Sequence, residues 1–366
     1  MTFRGLTLLL GLRCIPAGLQ HRYLPRNPLS THWVTKASTT TGATAASFSN
    51  LRQMEPDTAI PLYWYEDVSS TMDVAKEVMK EITCSSTLAR DAFAVAAHSQ
   101  SMGRGTRGRY WQSSRGNLYL TVAVKTKDIP IPLTLVPLRV ATLIHHEIVQ
   151  VLYAESDKSD GSNIGSAFRD EENGVGVSSG CSSSSTNESI SNDTSNYFKR
   201  CSLKWPNDIL IDKKKLCGIL MEMEDDHLLI GIGCNVMVAP NIEEDGDNSG
   251  RQSTCLKEFL SSDINLDGDD NLSTNEHRKY SLTDRMAIGI VNRLAKWIVS
   301  SDCANDVVKD FSKRADWTTQ YLREGKVEVI PERINIDGTL QVSVFSKWLH
   351  VTKIIFILEF HHGVRP

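Results

Sequence analysis

The chain has 366 residues, of which 40% are hydrophobic and 23% are charged, and its formal net charge is −4. This length suffices for about two domains, and the slightly acidic balance excludes a general nucleic-acid-binding protein, which would be basic. The eight cysteines form no C-x-x-C pair and no apolar run appears long enough for a membrane span, so reduced thiols and no membrane association are expected.

The first 54 residues differ in composition from the rest. They contain basic residues but no acid before Glu55, and Ser30 to Ser49 is rich in Ser and Thr. This composition is typical of an organellar transit peptide, so 1–54 is predicted to be a transit-like or disordered segment. Mitochondrion is the expected compartment. The alternatives are plastid, with Leu6 to Leu12 as part of a bipartite signal, or cytoplasm, with a tail that carries no address.

The next segment predicts a strand followed by a helix. Pro61 to Glu66 has aromatic residues that suit a pleated surface, and Met72 to Ile82 places its apolar residues on one helical face. Ser70 with Asp73 three residues later resembles a capping box. The hydroxyl-rich start of this helix suits either simple capping or hydrogen bonding to a ligand.

The remaining elements follow from periodicity and composition. Two polar stretches, 155–197 and about 241–280, lack the apolar content to fold and are predicted to be disordered insertions. Asp337-Gly338 predicts a turn between strands that begin at Val327. The other predicted elements are strands at Ala92 to Ala97, Asn117 to Lys125 and His227 to Val236, a hairpin of Ile209 to Ile211 with Lys215 to Glu224, and helices at Pro137 to Tyr153, Arg285 to Ser300 and Asp302 to Arg314.

A glycine- and arginine-rich segment, 103–109, lies between two predicted strands and is followed by Trp111. Alternating glycines let the backbone approach a ligand, and arginines donate bidentate hydrogen bonds to phosphate oxygens. The segment is not a Walker A loop. A ligand-ordered loop is favoured over a solvated basic turn because of the flanking strands, and the tryptophan is suited to stack on a purine.

The second informative segment is Lys204-Trp-Pro-Asn-Asp208. Proline fixes its own φ and biases the preceding residue to an extended conformation, so the lysine would be held in place. A held ammonium beside a carboxylate and a phosphate offsets the charge that builds during acyl-adenylate formation. Asn207 and Asp208 would orient Mg²⁺ or a ribose. The alternative is an ordinary surface turn.

A third segment, Gly231-x-Gly233-x-Asn235, would pack closely over a flat ligand and bond it through the Asn amide.

Taken together in their order along the chain, these segments resemble the catalytic domain of the biotin protein ligase family (biotin–[carboxylase] ligase, or holocarboxylase synthetase). Lipoate ligases share the fold but lack the combination of the Gly/Arg segment with Lys204-Trp-Pro-Asn-Asp208. The resemblance covers about residues 61–345 and rests on Ser69-Ser-Thr-Met72, Gln100-x-x-Gly-Arg-Gly, Arg107-Gly-Arg-x-Trp111, Lys204-Trp-Pro-Asn-Asp208, Lys215-Leu-Cys-Gly-Ile-Leu-Met-Glu222 and Gly231-Ile-Gly-Cys-Asn235.

The resemblance implies an α+β fold, in which a mixed β-sheet packed by helices precedes a small β-barrel. It places a catalytic domain at 55–318 and a small C-terminal β domain at 319–366, where 345–366 does not look like the completion of a barrel. It also implies that biotin and Mg·ATP give biotinyl-5′-AMP. The biotinyl group then passes to a lysine on the biotin carrier domain of a carboxylase such as acetyl-CoA carboxylase. No nucleic-acid partner is expected, because no helix-turn-helix precedes the catalytic region.

The resemblance also assigns site residues, with Lys204 and Arg104 as the catalytic pair. Two positions depart from the family pattern: Met72 stands where many members have Asn, and Thr106 stands where an arginine is common. Arg107 or Arg109 would compensate for the missing arginine. The residues assigned to biotin are Ser70, Thr71, Met72, Gln100, Arg104, Gly105, Thr106, Lys204 and Gly218, and those assigned to ATP or the adenylate are Arg107, Arg109, Trp111, Asn207 and Asn235, with Asp208 as a candidate for Mg²⁺.

Overall fold

The structure is a computed structural model, and the residues it describes belong to one compact unit, Ala46–Pro366. The predicted insertion at 155–197, apart from its first two residues at the end of a helix, and most of the segment 1–54 lie outside the described residues. The described ranges are 52–54, 60–84, 92–156, 200–241, 252–260, 280–318, 320–322, 327–346 and 349–355.

The main element is an eight-stranded sheet with the strand order β1-β2-β3-β4-β8-β7-β6-β5. Strands β2 and β3 are parallel and the other neighbours are antiparallel, so the sheet is mixed, as predicted. Its strands are β1 (Arg52–Met54), β2 (Leu62–Val68), β3 (Ala92–Gln100), β4 (Leu118–Lys125), β5 (Cys201–Lys204), β6 (Asp208–Ile211), β7 (Lys214–Glu224) and β8 (His227–Cys234).

Helices cover both faces of this sheet. Helix α1 (Thr71–Cys84) packs on one face, where Met72, Ala75 and Met79 contact apolar residues of the strands. Helices α2 (Val136–Ser156), α3 (Leu282–Ile298) and α4 (Ala304–Arg314) form the larger core on the other face. Apolar burial on both faces explains why β4 and β8 are almost continuously hydrophobic.

The central helix α2 corrects one expectation. The stretch Leu133–Ala154 is long and apolar enough to cross a membrane by composition, with a mean hydropathy of 1.3. The expectation that no apolar run reaches membrane-spanning length was therefore wrong. In this fold 67% of the apolar window is buried, as expected for a helix that packs between a sheet and two other helices.

A second sheet of four strands follows, with the order β12-β11-β10-β9. The predicted turn at Asp337-Gly338 is confirmed, and Gly338 has the positive φ (86°) that favours glycine. Within 345–366, which did not look like the completion of a barrel, residues 349–355 pair with β11 as the edge strand of this sheet. Among the described residues the sheet is open; its strands are β9 (Gln320–Leu322), β10 (Val327–Ile334), β11 (Leu340–Ser346) and β12 (Leu349–Ile355).

Two predicted disordered segments contain ordered residues. Arg52–Met54, at the end of the predicted N-terminal segment, pairs with β2. Residues 252–260, inside the predicted insertion 241–280, form a short 3-10 turn that buries Cys255 and Leu256. Because the segment is polar on average, the burial of these two apolar residues was not predicted.

Candidate functional site

The register of the main sheet aligns the separate motifs in one row. Lys204 pairs with Asp208, Asp208 with Gly218, and Gly218 with Gly233. Residues directly opposite each other on neighbouring strands project to the same face. The lysine motif and both glycine motifs therefore share one face of the sheet, which is the face that carries α1.

Trp111 lies flat on the two glycines of this row. A Cβ added at Gly218 would lie 2.8 Å from Trp111 Cζ3, and one added at Gly233 would lie 2.5 Å from Trp111 Cε2. Lys215 Nζ makes a cation–π contact with the ring, 5.1 Å from its centroid. A cradle for a flat ligand was predicted from Gly231 and Gly233, but in the structure Gly218 and Gly233 form the cradle, and it holds the protein's own indole ring.

The turn after Lys204 is fixed by contacts of its next residues. Trp205 Nε1 donates to Gly338 O at 3.0 Å, and the Trp205–Pro206 peptide bond is cis. Asn207 Nδ2 donates to the Ile219 carbonyl of β7 at 2.7 Å. Lys204 is the last residue of β5 and lies directly before this turn, and Asn207 contributes to holding the turn.

A chain of hydroxyl and amide groups joins the start of α1 to the Gly/Arg loop. The backbone N–H and the Oγ1 of Thr71 donate to Gln100 Oε1, at 2.9 and 3.2 Å. Thr121 on β4 donates to Thr71 Oγ1, and Gln100 Nε2 donates to Ser113 Oγ. Ser70 caps the helix, since its Oγ accepts from the Met72 N–H. The structure thus brings together three of the residues assigned to biotin.

Met72 is placed differently from the expectation for a ligand contact. Its side chain is 4% exposed and packs in the core beneath α1. A Cβ added at Gly231 would lie 3.0 Å from Met72 Sδ. The first glycine of the Gly-x-Gly segment therefore makes room for this methionine, whereas the second makes room for the indole ring.

Within the Gly/Arg loop, two arginines pair with residues of this chain. Arg104 makes a bidentate ion pair with Asp73, at 2.8 and 2.9 Å. Arg109 donates from Nη2 to Thr106 Oγ1 at 2.5 Å and from Nε to Thr106 O at 3.0 Å. Gly105 has an extended backbone and donates its N–H to Arg109 O. The side chain of Arg107 lies outside the described part of the structure.

Asn235 is buried at the end of β8 and is only partly satisfied. Its Nδ2 donates to Thr254 O at 3.1 Å, while its Oδ1 has no hydrogen-bond partner. Asn117 organises the same segment, because its Oδ1 accepts from the three consecutive N–H groups of 236–238. Trp111 Nε1 is likewise buried without a partner. Such unpaired polar atoms are costly and call for a specific cause, such as a ligand.

The sequence analysis missed several residues that shape the site. Asp73 was interpreted only as a helix-capping residue, and Lys215 only as part of a motif. Asn117 and Thr121 carried no signal beyond a strand pattern, because their roles depend on partners distant in sequence. Lys215 Nζ pairs with Asp208 Oδ1 at 2.6 Å. Within the described ranges, no group of three or more His, Cys, Asp or Glu side chains is arranged to hold a metal ion.

Comparison with known proteins places this geometry in a family. Residues 64–236 match the model of the biotin/lipoate A/B protein ligase family. This part of the chain is similar to a domain of that family. The matched range includes α1, the Gly/Arg loop, the lysine turn and both glycine motifs. The resemblance inferred from the motifs is therefore confirmed.

Individual relatives agree with the family match. The bifunctional ligase/repressor BirA of Bacillus subtilis is 29% identical over 185 residues, which cover 49% of this chain and 42% of that protein. The biotin–[acetyl-CoA-carboxylase] ligase of Mycobacterium tuberculosis is 27% identical over 151 residues, or 41% of each chain. The matches span less than half of the length of these curated relatives.

Among solved structures, the biotin protein ligase of Leishmania major in complex with biotinyl-5-AMP is 25% identical to this chain. The superposition has a TM-score of 0.50 and covers 81% of this chain and 98% of that protein. It confirms the mixed sheet packed by helices and extends the similarity beyond the range of the family match.

Proposed function

We propose that this protein is an ATP-dependent biotin–protein ligase. A biotin carboxylate oxygen attacks the α-phosphorus of ATP, the bond to the β-phosphate breaks, and pyrophosphate leaves. A carrier lysine amine then attacks the acyl carbon of biotinyl-5′-AMP, and the bond to AMP breaks. The observation that carries this proposal is the row formed by Lys204, Asp208, Gly218 and Gly233 beneath the Gly/Arg loop.

The row supports this chemistry because it places a lysine on the same face of the sheet as a flat aromatic surface. Lys204 ends β5 beside the fixed turn, so its ammonium is suited to offset the negative charge that develops between a carboxylate and the α-phosphate. The indole of Trp111 on the glycine cradle offers a flat surface for an adenine ring. The loop that carries Trp111 also covers the site, which would protect an acyl-adenylate from water.

Two unpaired polar atoms add support for a nucleotide. Asn235 Oδ1 is an acceptor without a partner and Trp111 Nε1 is a donor without a partner. A purine or ribose offers both donors and acceptors, so either atom would gain a hydrogen bond on binding. Asn117 and Thr254 hold the Asn235 segment in place, which reduces the ordering that binding would require.

Mg²⁺ with ATP forms part of this proposal. Mg²⁺ is usually bound by one or two carboxylates together with substrate phosphates. Asp208 supplies one carboxylate on the site face, where it pairs with Lys215. This donor set fits a metal ion held mainly by the nucleotide, with Asp208 as a protein ligand and Lys215 as a neighbouring positive charge. When bound, the ion would neutralise phosphate charge.

The acceptor in the proposal is the biotin carrier domain of a carboxylase. The name of the Mycobacterium tuberculosis relative specifies acetyl-CoA carboxylase, which makes a carrier domain of this type the first to be tested.

The decisive assay is biotin-dependent exchange of pyrophosphate into ATP, followed by transfer of labelled biotin to a purified carrier domain. We expect exchange and transfer with the native protein and loss of both with Lys204→Ala. Lys214→Ala, which changes an exposed lysine at the start of β7, is the matched control. Activity with lipoate or octanoate in place of biotin, or exchange retained in Lys204→Ala, would contradict the proposal.

We further propose that the protein acts in an organelle, with mitochondrion ahead of plastid. The support is the composition of residues 1–54, which contain basic residues and no acid. Mass spectrometry of the N-terminus of the protein isolated from cells tests this. A mature chain that begins near residue 54 is expected, whereas an intact Met1 would contradict it.

A further inference from the structure

The guanidinium group of Arg104 is occupied by carboxylates of this chain. Both Nη atoms bond to the two oxygens of Asp73, and Nε lies 3.4 Å from Glu222 Oε1. Bidentate arginine–carboxylate pairs are geometrically specific and stronger than single contacts. In this arrangement the side chain of Arg104 is committed to the conformation of the loop.

Glu222 is itself held by a second cation. Lys76 Nζ lies 3.0 Å from Glu222 Oε2 and 3.2 Å from Glu224 Oε2. The pKa of Arg104 is raised by its hydrogen bond to Asp73. Burial opposes the charge on Lys76, but Glu222 and Glu224 raise its pKa. Lys76 and Arg104 therefore stay positively charged at neutral pH, and they form one ion-pair cluster with Asp73, Glu222 and Glu224.

This ion-pair cluster fastens the Gly/Arg loop, at Arg104, to helix α1 and strand β7. Gln100, the last residue of β3 before the loop, is attached to α1 as well, through hydrogen bonds from Thr71. The end of the loop rests on the sheet, where Trp111 covers the glycine cradle. The loop thus lies closed across the site, and the cluster provides a charged attachment between the loop and α1.

We propose that Asp73 is a positioning residue that acts through Arg104 to keep the loop closed and so sets the rate at which biotin and biotinyl-5′-AMP leave the site. This inference rests on the proposed function. It also explains how the adenylate can be retained although Thr106 stands where an arginine that helps retain it was expected. In this chain Asp73 and Arg104 supply retention by holding the loop closed.

The first test measures loop closure without any ligand or activity. Trypsin is applied to the native protein and to Asp73→Asn, and cleavage after Arg104 and after Lys80 is followed separately. We expect cleavage after Arg104 to rise about tenfold in the variant, equivalent to about 1.4 kcal/mol, while cleavage after Lys80 on α1 stays constant. Glu77→Gln, an exposed carboxylate on the same helix, should behave as the native protein. Unchanged cleavage after Arg104, or an equal rise after Lys80 that reports a frayed helix, would refute the proposal.

The second test measures the consequence for the reaction. Asp73→Asn should release trapped biotinyl-5′-AMP about tenfold faster, while its maximal rate of pyrophosphate exchange changes less than the release rate. Release in 1 M salt should differ less between the native protein and the variant, because salt screens the partly exposed ion pairs. A fall in maximal exchange with unchanged release would overturn the proposal. Absence of exchange in the native protein would contradict the proposed function instead and would leave the trypsin result valid.

Discussion

The contact between Trp111 and Gly233 gives the sharpest prediction about the site. Gly233→Ala adds one carbon at a position 2.5 Å from Trp111 Cε2 and 2.7 Å from Trp111 Nε1. Nonbonded carbon atoms prefer a separation of about 3.5 to 4.0 Å, so the indole ring must move by about 1 Å or more. The ring would then lose its close contact with the cradle and its position under Lys215.

The expected loss can be estimated from that displacement. The Lys215 contact with the ring is worth about 0.5–1 kcal/mol at a partly exposed site. A displacement of about 1 Å in a substrate-positioning group can lower catalysis about 100-fold. We therefore expect kcat/KM for ATP in pyrophosphate exchange to fall by about two orders of magnitude. The thermal unfolding midpoint should change little, because Gly233 lies in an extended strand that accepts alanine.

Gly231→Ala is the matched comparison, two residues away on the same face of the same strand. Its added carbon would meet Met72 Sδ at 3.0 Å, and a thioether side chain adapts more easily than an indole ring. The loss of kcat/KM should therefore be several-fold smaller than in Gly233→Ala. Equal kcat/KM for the two folded variants would refute the assigned role of the cradle.

Three further predictions concern other parts of the molecule. Burial, followed by the charge of Arg314, lowers the pKa of His146 to about 3. The imidazole of His146 therefore stays neutral in the folded protein, whereas in the unfolded protein it takes up a proton below about pH 6.5. Stability is thus lost as pH falls from 6.5 toward 3, and His146→Gln should make this decline shallower by about 1.4 kcal/mol per pH unit in urea titrations; parallel curves would contradict this. Gly289→Ala would place a methyl group against the Glu147 carboxylate and disrupt its buried ion pair, so we expect a loss of about 3–5 kcal/mol in the free energy of unfolding, and a loss below about 1 kcal/mol would show that the carboxylate can move aside. Thr106→Arg restores the residue expected from the family and should slow the release of biotinyl-5′-AMP in a trapping assay; an unchanged rate would show that Thr106 does not weaken retention.

Local sequence patterns were sufficient to predict most elements. The hairpin of β6 and β7 followed from its turn residues, and Asp212 and Lys213 indeed have positive φ. The order of the motifs identified the family, because a lysine turn and a Gly/Arg loop in one chain together restrict the range of reactions that the site can support. Each of these signals lies within a few residues of sequence.

Contacts between distant residues could not be predicted in the same way. Asp73 fitted a local capping pattern, yet its carboxylate pairs with Arg104, 31 residues away. The row of Lys204 and Gly233 exists because three successive strand pairings have compatible registers. Leu256 was hidden in a polar stretch, although it is fully buried. Such features depend on the packed fold rather than on the residues alongside them in the chain.

The hydrogen bond from Trp205 to Gly338 affects where the protein can be divided. It joins the lysine turn to the β10–β11 turn of the second sheet, across 133 residues of sequence. Leu340 and Val342 of that sheet belong to the same hydrophobic core as the main sheet. A chain shortened to end at residue 318 would expose this core. It would also remove the hydrogen-bond partner of Trp205, the residue that follows Lys204. The C-terminal strands therefore support the reaction centre directly and should be retained in any shortened form of the protein intended to keep activity.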